Sequence, residues 1–580
     1  MKILLLHPSK SAELGPWRET HWDWIVDLGW MGRSAYCDLA QRFGCRAFSI
    51  HDSVDCAQRR TGLRELLQAA LGYLVDAENV DWWDVYSSVP YDLLDQILLL
   101  SALAKQIPTS AEIVATRPHF AIQILSALLN REIKAFIDES DSADGTLYRY
   151  YKAARTFRPS QLVQIALDKW DMDYRFRRHW SPVAKAATEP AILLPSSYVN
   201  VSRVQANYAQ MLPHRKFLLI ITRPNGGQID LPKNVELRSL ASYSPKPFLL
   251  STEKEHAHLV ERWRKLQSKI FQANGVLRLA NKLNVFARFP SFLQKGLRIR
   301  DAWRNVFARE PIQAVLSADE NSPFTRLPVL LGRSRNISTV LADHGALNMT
   351  VAVRPLAAAK YLVQSEMAMD YVVNWCGVSV NQVFVGAAAA HSVPRLVSNA
   401  GERDWIILFS SEYTPNTGRA EVFYKEILPH LCTLATQTQR KVIIKLHPFE
   451  SYSERTRLVE KLLSLEQRRL VELRDGPLTP ELLNRAWFTL TVESSAAVES
   501  ALQGVPCFLC GWFDSSWYEY GTQFAKFSAA QVISSPEDIL AIPKRLEVWR
   551  ITPTTQDRLA RPIRPEELES LILGIAVETQ

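Results

Sequence analysis

Cysteine is sparse in this sequence, with seven residues spread unevenly over 580 positions. Small domains held together by disulfides are much richer in cysteine, and an odd total does not suit such a scaffold, so that class is excluded. Cys507 and Cys510 form a C-x-x-C pair, but no second Cys or His pair follows at zinc-site spacing. Both thiols lie in an apolar run, which favours buried strand residues over a metal site.

Long hydrophobic runs are also missing. The apolar run at residues 3–6 is shorter than the roughly 7–15 residues of a secretory signal, and no stretch reaches the 18 or more of a membrane span. With 22 glycines and a hydrophobic fraction of 47%, collagen-like and wholly disordered chains are excluded. We therefore expect a folded cytoplasmic protein, and a peripheral position on the inner face of the cytoplasmic membrane stays open.

The charge is modest in total but concentrated in one segment. The chain has 68 basic and 60 acidic residues, a net charge of +8, whereas residues 259–309 carry twelve Lys and Arg against Glu261 and Asp301, a net charge of 12 − 2 = +10. A solvated face of amphipathic helices is one interpretation. Contact with anionic lipid headgroups or a polyanionic acceptor is another. Nucleic acid ranks third because no recognition motif accompanies the charge, so we expect no nucleic-acid partner.

Short apolar runs alternate with helix-length segments along most of the chain. Runs at 2–7, 46–50, 191–194, 217–222, 312–316 and 338–341 have the composition of buried parallel strands. Their alternation with helices predicts an α/β protein with parallel sheets covered on both faces. We divide the chain into an N-terminal domain (1–398) with a helical insertion at about 56–185, a C-terminal domain (399–550) and a closing segment (551–580).

In the C-terminal domain, polar residues follow the predicted strands at 405–409, 441–446 and 488–492. Ligands of open α/β sheets bind at the carboxyl ends of strands, so these residues are candidates for a binding site. They are Ser410 and Ser411 after the first strand, Lys445, His447 and Pro448 at the end of the second, and Glu493, Ser494 and Ser495 after the third.

Two motifs stand out, KVIIKLHP at 441–448 and TVESSAAVESALQGVPCF at 491–508. Pro448 steers the His447 backbone away from helix, which keeps the imidazole at the strand end, where a simple turn histidine is the alternative. Ser494 and Ser495 open a helix whose unpaired N–H groups and dipole favour a phosphate. N-capping by serine is the alternative there. Glu499, one turn further, is placed to accept hydrogen bonds from ribose hydroxyls.

Together these motifs resemble the C-terminal nucleotide-binding domain of GT-B glycosyltransferases. The most similar subset is the bacterial surface-polysaccharide group with cytidine-nucleotide donors: capsular Kdo transferases, polysialyltransferases and CDP-glycerol glycerophosphotransferases. The resemblance implies that His447 contacts the nucleotide and its phosphate, and that Ser494 and Ser495 hold phosphate. The E-x-x-x-x-G-x-P pattern at 499–506 is shared with UDP-sugar enzymes and UDP-GlcNAc 2-epimerases, so it does not select the base.

A second match lies near the end of the N-terminal domain. Asp319 and Glu320 follow the strand at 312–316, and Asp343 and His344 follow the strand at 338–341. This resembles the segment of the same transferases in which a His-Gly pair follows a strand and faces the interdomain cleft. The resemblance implies His344 as general base, since imidazole titrates near neutral pH, with the three carboxylates as rivals. A strand-end pair that bonds its own loop is the alternative for Asp343 and His344.

The resemblance therefore implies an α/β protein of the GT-B fold, in which two Rossmann-like domains face a cleft. The implied activity moves a sugar from a nucleotide-activated donor, CMP- or CDP-linked in preference, to a surface-polysaccharide or glycolipid acceptor. A nucleotide-sugar epimerase of the same fold and a catalytically silent binding protein of polysaccharide assembly remain alternatives. No D-x-D motif stands at a strand end, so we expect metal-independent transfer. The nucleotide sugar is a substrate, and we expect no cofactor.

Overall fold

The structure, a computed structural model, describes residues 1–6, 20–28, 39–116, 119–135, 186–244, 250–345, 347–388, 403–410, 419–447, 450–476, 478–513 and 518–575. The chain divides into two compact units. The first contains the described residues of Met1–Arg60, Gln96–Asp141 and Ser392–Ala560, and the second those of Thr61–Asp95, Ser142–His391 and Arg561–Gln580. The described residues form three parallel sheets, two in the first unit and one in the second.

The N-terminal sheet belongs to the first unit and has five parallel strands in the order β3-β2-β1-β4-β5. The strands are β1 (Lys2–Leu6), β2 (Trp24–Asp27), β3 (Arg46–Ser49), β4 (Glu112–Ala115) and β5 (Lys134–Ala135). The helices in this part of the chain are α1 (Cys56–Gln68), α2 (Trp82–Tyr86), α3 (Tyr91–Gln106) and α4 (Phe120–Leu129). The apolar run of β1 is fully buried between its neighbours, as its composition predicts for a central parallel strand.

The predicted N-terminal domain, 1–398, thus differs from the observed arrangement. The described part of the expected helical insertion, 56–135, contains β4 and β5 as well as helices, and these strands complete the first sheet. Runs of four and two residues are too short to show a strand periodicity, which is why the sequence did not reveal them. The range 1–398 holds two separate sheets, which fall in different units. Residues 136–185 lie outside the described residues.

The second unit is built on a seven-stranded parallel sheet in the order β12-β11-β10-β9-β6-β7-β8. Its strands are β6 (Ala191–Ser196), β7 (Lys216–Ile221), β8 (Val235–Ser239), β9 (Ile312–Ser317), β10 (Ser338–Ala342), β11 (Lys360–Val363) and β12 (Val383–Val385). Its helices are α5 (Val199–Gln210), α6 (Leu250–Ala273), α7 (Gly275–Lys282), α8 (Phe289–Arg309), α9 (Pro323–Ser334) and α10 (Glu366–Asp370), which continues into a π-helical turn, Tyr371–Trp375.

The third sheet, again in the first unit, has six parallel strands in the order β15-β14-β13-β16-β17-β18. They are β13 (Trp405–Phe409), β14 (Lys441–Lys445), β15 (Val471–Arg474), β16 (Ala486–Thr491), β17 (Cys507–Cys510) and β18 (Gln531–Ile533). The helices in this part of the chain are α11 (Arg419–Thr438), α12 (Tyr452–Leu462), α13 (Leu465–Arg468), α14 (Pro480–Asn484), α15 (Ala496–Leu502), α16 (Tyr520–Lys526), α17 (Ile542–Val548), α18 (Pro553–Leu559) and, in the second unit, α19 (Pro565–Leu573). Short 3-10 turns occupy Ile50–Ser53, Pro224–Gly227, Leu240–Tyr243, Met349–Ala352, Val380–Gln382 and Pro536–Ala541.

The predicted closing segment, 551–580, is divided between the two units. Helix α18 packs against α15 in the first unit, where Gln556 Nε2 donates to the carbonyl of Leu502 at 2.9 Å. Helix α19 packs against β9 and β10 in the second unit, and its Leu568 and Ile572 are fully buried in that core. Residues 576–580 lie outside the described residues.

All three sheets follow the same strand order. Counted from its own first strand, each reads 3-2-1-4-5, with one or two further strands in the later sheets. This is the order of Rossmann sheets, in which the loops on either side of the switch point diverge and leave a crevice at the carboxyl ends of two strands. The switch points lie between β1 and β4, β6 and β9, and β13 and β16. The predicted α/β class with Rossmann-like domains, to which the GT-B fold belongs, is confirmed.

Candidate functional site

The polar residues predicted at the strand ends of the C-terminal domain gather near the switch point of the third sheet. Strand β13 lies between β14 and β16, and Phe409 pairs in register with Lys445. Ser410 directly follows β13, and Lys445 is the last residue of β14. Ser411 and Pro448 lie outside the described residues. Neighbouring parallel strands thus bring Ser410, Lys445 and His447 to the carboxyl end of the sheet.

A carboxylate that the sequence analysis did not single out, Glu450, connects these loops. Its side chain is 0% exposed and accepts hydrogen bonds from Ser410 Oγ at 2.7 Å and from the backbone N of His447 at 2.7 Å. Arg455 Nε donates to it at 2.6 Å and forms a largely buried ion pair. Tyr424 donates to Ser410 Oγ at 3.0 Å. One side chain therefore holds both Ser410 at the end of β13 and the backbone of His447.

Lys445 is buried at the end of β14. Its Nζ donates to two backbone carbonyl oxygens, at 2.9 and 2.6 Å. Burial lowers the pKa of Lys445, while the carboxylates of Asp475, Glu450 and Glu499 act in the opposite direction. Glu499 belongs to α15, so the end of β14 and the helix after β16 interact electrostatically.

His447 is half-buried at the end of β14. Burial lowers the pKa of His447, the carboxylate of Glu450 opposes this change, and the charge of Lys445 adds to it. With its pKa held below the usual range, the imidazole is neutral at neutral pH. A neutral imidazole offers one donor and one acceptor, which suits hydrogen bonding to a nucleotide.

The serine pair after β16 is divided between two roles. Ser494 Oγ accepts from the backbone N of Ala496 at 3.3 Å, and its own N donates to Thr491 Oγ1 at 3.2 Å, so this hydroxyl caps the start of α15. The N-capping alternative therefore applies to Ser494. Ser495 is exposed, makes no capping bond to the described backbone, and lies one turn before Glu499, which is exposed too.

Two tyrosine hydroxyls form hydrogen bonds with the segment between β16 and α15, one with a side chain and one with the backbone. The Tyr518 hydroxyl donates to Glu493, and the Tyr520 hydroxyl donates to the carbonyl of Ser494 at 2.6 Å. Both tyrosines come from the segment that leads into α16, after β17. Their sequence separation from Glu493 gives no local signal, so the sequence could not associate them with the motif.

In the second unit, Asp343 lies at the end of β10 and is 3% exposed. The Tyr361 hydroxyl, from β11, donates to Asp343 Oδ1, and Gln364 Nε2 donates to its carbonyl at 2.9 Å. Oδ2 is enclosed and has no hydrogen-bond partner among the described residues. Burial raises the pKa of Asp343 to about 7, and the nearby Glu320 acts in the same direction.

His344 is more open than Asp343. Its Nε2 lies 2.7 Å from the hydroxyl of Tyr198, and the two rings meet edge-on. Tyr198 follows β6, so this contact spans the switch point of the second sheet. The hydrogen bonds of the Asp343 and His344 side chains therefore lead to β11 and to the loop after β6. This differs from the alternative in which the pair bonds its own loop.

Asp319 and its neighbours form the turn between β9 and α9. Asp319 accepts from Ser197 Oγ at 2.9 Å, from Thr325 Oγ1 at 3.0 Å and from the backbone N of Asn321 at 2.9 Å. The first of these bonds joins the ends of β6 and β9 across the switch point. Both carboxylate oxygens of Asp319 therefore accept hydrogen bonds that stabilise this turn.

Glu320 belongs to a buried ion network. It is 2% exposed and accepts from Arg326 Nη1 at 3.3 Å, while Nη2 of the same guanidinium donates to both oxygens of Asp84 at 2.8 and 2.9 Å. Burial raises the pKa of Glu320 and, together with the charge of Arg326, lowers the pKa of the adjacent Arg354 to about 10. Among the four predicted candidates for a general base, the half-buried ring of His344 is the group most accessible to a ligand.

Within the described ranges, no three His, Cys, Asp or Glu side chains lie together as a metal ion would require. The metal independence of transfer remains a prediction. Cys507 and Cys510 are free, buried thiols at the two ends of β17, which confirms their interpretation as strand residues. No described helix combines the length and apolarity that a membrane crossing requires.

Comparison with known proteins found similarity to solved structures, of which three are described. No protein-family model matches the sequence, and no curated protein matches it. The UDP-GlcNAc 2-epimerase of Methanocaldococcus jannaschii matches 67% of this chain and 99% of its own, with 12% identity and a TM-score of 0.42. The same epimerase is known in complex with UDP-GlcNAc and UDP.

Two transferases match similar portions. MurG of Acinetobacter baumannii matches over 67% of this chain and 100% of its own, with 12% identity and a TM-score of 0.38. A glycosyltransferase from Rickettsia africae matches over 67% and 95%, with 10% identity and a TM-score of 0.36. Similarity at this level assigns no activity, and the α/β class follows from the three parallel sheets of the chain itself.

Proposed function

We propose that this protein is a GT-B glycosyltransferase that uses a nucleotide-activated sugar, CMP- or CDP-linked in preference. The acceptor is a hydroxyl of a surface polysaccharide or glycolipid. The observation that carries the proposal is the gathering of Ser410, Lys445 and His447 around Glu450, beside the switch point of the third sheet. Nucleotides bind at such points in open α/β sheets. The resemblance of the His-Pro and Ser-Ser motifs supports the cytidine class.

On the donor side, the groups at the ends of β14 and β16 would bind the departing nucleotide. As the bond between the anomeric carbon and the phosphate oxygen breaks, negative charge develops on the phosphate. Lys445, the exposed hydroxyl of Ser495 and the neutral ring of His447 are donors for that charge, and fixed donors of this kind stabilise a transition state. Glu499 remains our candidate for the ribose hydroxyls.

On the acceptor side, we assign the proton transfer to His344. The acceptor oxygen forms the new bond to the anomeric carbon and gives its proton to the imidazole, while the nucleotide leaves with the electron pair of the broken bond. In the tautomer whose Nε2–H donates to the Tyr198 hydroxyl, this bond orients the ring and Nδ1 is the nitrogen that takes the proton, as general-base catalysis requires. Asp343, whose free oxygen is enclosed, is the rival.

A melting-temperature screen against CMP, CDP, UDP and GDP tests the donor site. A ligand at 100-fold its Kd stabilises the protein by about 2.7 kcal/mol, and we expect CMP or CDP to do so. His447→Ala should abolish this shift. His430→Ala removes a histidine on α11 of the same unit and should preserve it. The proposal is wrong if none of the four nucleotides raises the melting temperature.

A turnover assay separates the proposed transfer from its alternatives. His344→Ala should retain the nucleotide-induced shift but lose transfer, whereas the control His214→Ala, an exposed histidine of the second unit, should retain both. Conversion of a nucleotide sugar without any acceptor would identify an epimerase. Nucleotide binding with no turnover on any acceptor would identify a binding protein.

A further inference from the structure

The basic segment 259–309 folds into most of α6 and into α7 and α8, and most of its aromatic side chains are buried. Trp263, Phe271, Phe286 and Phe289 surround Trp83 of α2 and are at most 3% exposed. The rings of Trp263 and Phe289 stack with centroids 4.0 Å apart. These side chains form part of the core of the second unit, so they are not available to insert into a bilayer. An interfacial helix needs an exposed apolar face, which this surface lacks.

Part of the positive charge of the segment is neutralised inside the protein. Arg300 is buried and pairs with Asp76 at 2.7 Å and with Glu255 at 2.6 Å. Arg304 pairs with Glu78 at 3.1 Å. All three acids lie outside residues 259–309. The surface that remains is therefore less positive than the sequence count of +10, and its cations can be named.

Within residues 259–309, six exposed cations lie on α6, on α7 and in the turn before α8, and we call this surface the basic face. They are Arg264, Lys265, Lys269, Arg278, Lys282 and Arg288. Gln267 Nε2 donates to Asn281 Oδ1 at 2.6 Å, which holds α6 and α7 side by side. Lys265 pairs with Glu261 at 2.7 Å, and no other ion pair within 4 Å links these six cations to a described residue.

We propose that the basic face holds the protein against a bilayer rich in anionic lipid, through headgroup charge and without insertion. The cations are long, exposed and spread over two helices, which suits the diffuse and laterally mobile charge of a headgroup layer. The attraction is about 1 kcal/mol per Lys or Arg near such a leaflet, roughly fivefold in affinity. This proposal rests on the proposed function only for the reason why the protein would bind a membrane, since a glycolipid acceptor would be presented at the bilayer surface. The binding itself does not depend on that function.

Sedimentation with lipid vesicles tests the basic face. The full-length protein should bind vesicles of equal parts phosphatidylcholine and phosphatidylglycerol, and not vesicles of phosphatidylcholine alone. Raising the salt from about 0.1 M to about 1 M shortens the Debye length from about 10 Å to about 3 Å and should release the protein. Replacing Lys265, Lys269, Arg278 and Lys282 together by Gln should weaken binding by several-hundred-fold, at roughly fivefold per charge.

A matched variant removes the same number of charges elsewhere. Lys105, Lys233, Lys441 and Lys544 are exposed and lie outside the basic face, and their combined replacement by Gln should change vesicle binding only a few-fold. Equal weakening by both variants would assign the effect to net charge and overturn the proposal. Binding to neutral vesicles, binding that withstands high salt, or binding to soluble dextran sulfate but not to vesicles would overturn it as well.

The nucleotide-induced melting shift separates this proposal from the proposed function. Both Gln variants should show the wild-type shift, because none of the eight residues belongs to the candidate nucleotide site. Loss of vesicle binding with the shift retained supports the basic face independently of catalysis. If the basic-face variant fails to fold, the salt dependence of the wild-type protein still decides between headgroup attraction and insertion.

Discussion

Replacing Glu450 by Gln tests whether one buried carboxylate organises the candidate nucleotide site. Glu450 accepts hydrogen bonds from Ser410, the His447 backbone and Arg455. Glutamine keeps the shape but offers a single acceptor oxygen, and its amide nitrogen would face a donor. Removing one partner of a buried ion pair costs about 3–5 kcal/mol. Because the Arg455 side chain retains 14% exposure to water, we expect the lower end, about 3 kcal/mol, in urea unfolding.

The same substitution should change the titration of His447. Burial lowers the pKa of His447, and the negative charge of Glu450 opposes that effect. Without this charge the pKa should fall further, which an NMR titration of the His447 ring measures directly. A loss of packing alone would lower the stability of the protein but would not lower the pKa of His447.

Glu454→Gln provides the control, because Glu454 is an exposed carboxylate four residues after Glu450, in the first turn of α12. Its substitution should stay within about 0.5 kcal/mol of the wild type. If Glu450→Gln unfolds at the urea concentration of the wild type and His447 titrates as before, then Glu450 does not organise the site. The proposed arrangement of Ser410 and His447 would then need another cause.

Three further predictions follow from buried groups and from the donor chemistry. Asp343, with a folded-state pKa of about 7, binds its proton more tightly in the folded than in the unfolded state, so its contribution to stability should fall by roughly 3–4 kcal/mol between about pH 4 and pH 7. Asp343→Asn should remove that slope in unfolding measurements, and an unchanged slope would contradict the assignment. Gly296→Ala would place a methyl group inside the ring of Trp82 and should cost about 1–3 kcal/mol in chemical denaturation, whereas Gly275→Ala, with open space around it, should not. Transfer activity should persist in EDTA, and its loss with recovery on Mn²⁺ would show that a metal is required.

The long parallel strands were the most predictable part of the fold. Strand β13 has the predicted bounds, 405–409, and β14 and β16 lie within one to two residues of theirs. Strands buried on both faces are continuous apolar runs, and the polar residues that interrupt these runs mark the loops where ligands bind. For this reason the positions of Ser410, His447 and Ser494 at strand ends could be predicted before the sheet was known.

The remaining features depend on contacts between distant parts of the chain. Tyr198 and His344 are 146 residues apart, and Arg326 reaches Asp84 across 242. No local sequence pattern predicts contacts between residues so far apart. Glu450 had a local signal, an acid three residues beyond the histidine, but its importance rests on Ser410, which is 40 residues earlier. The sheet to which a strand belongs is a long-range property too, which is why the sequence predicts one domain over residues 1–398 where the structure has two sheets.

The path of the C-terminal segment has a consequence for biosynthesis. The core of the second unit includes Ile563, Leu568 and Ile572 from the last twenty residues, packed with strands made hundreds of residues earlier. The core of the second unit therefore cannot be completed until residues 563–572 have left the ribosome, although domains generally fold as units during synthesis. The first unit is discontinuous as well, since both of its sheets are needed and they lie at opposite ends of its sequence. Neither unit corresponds to a single stretch of the gene, so the two must be inherited, synthesised and expressed together.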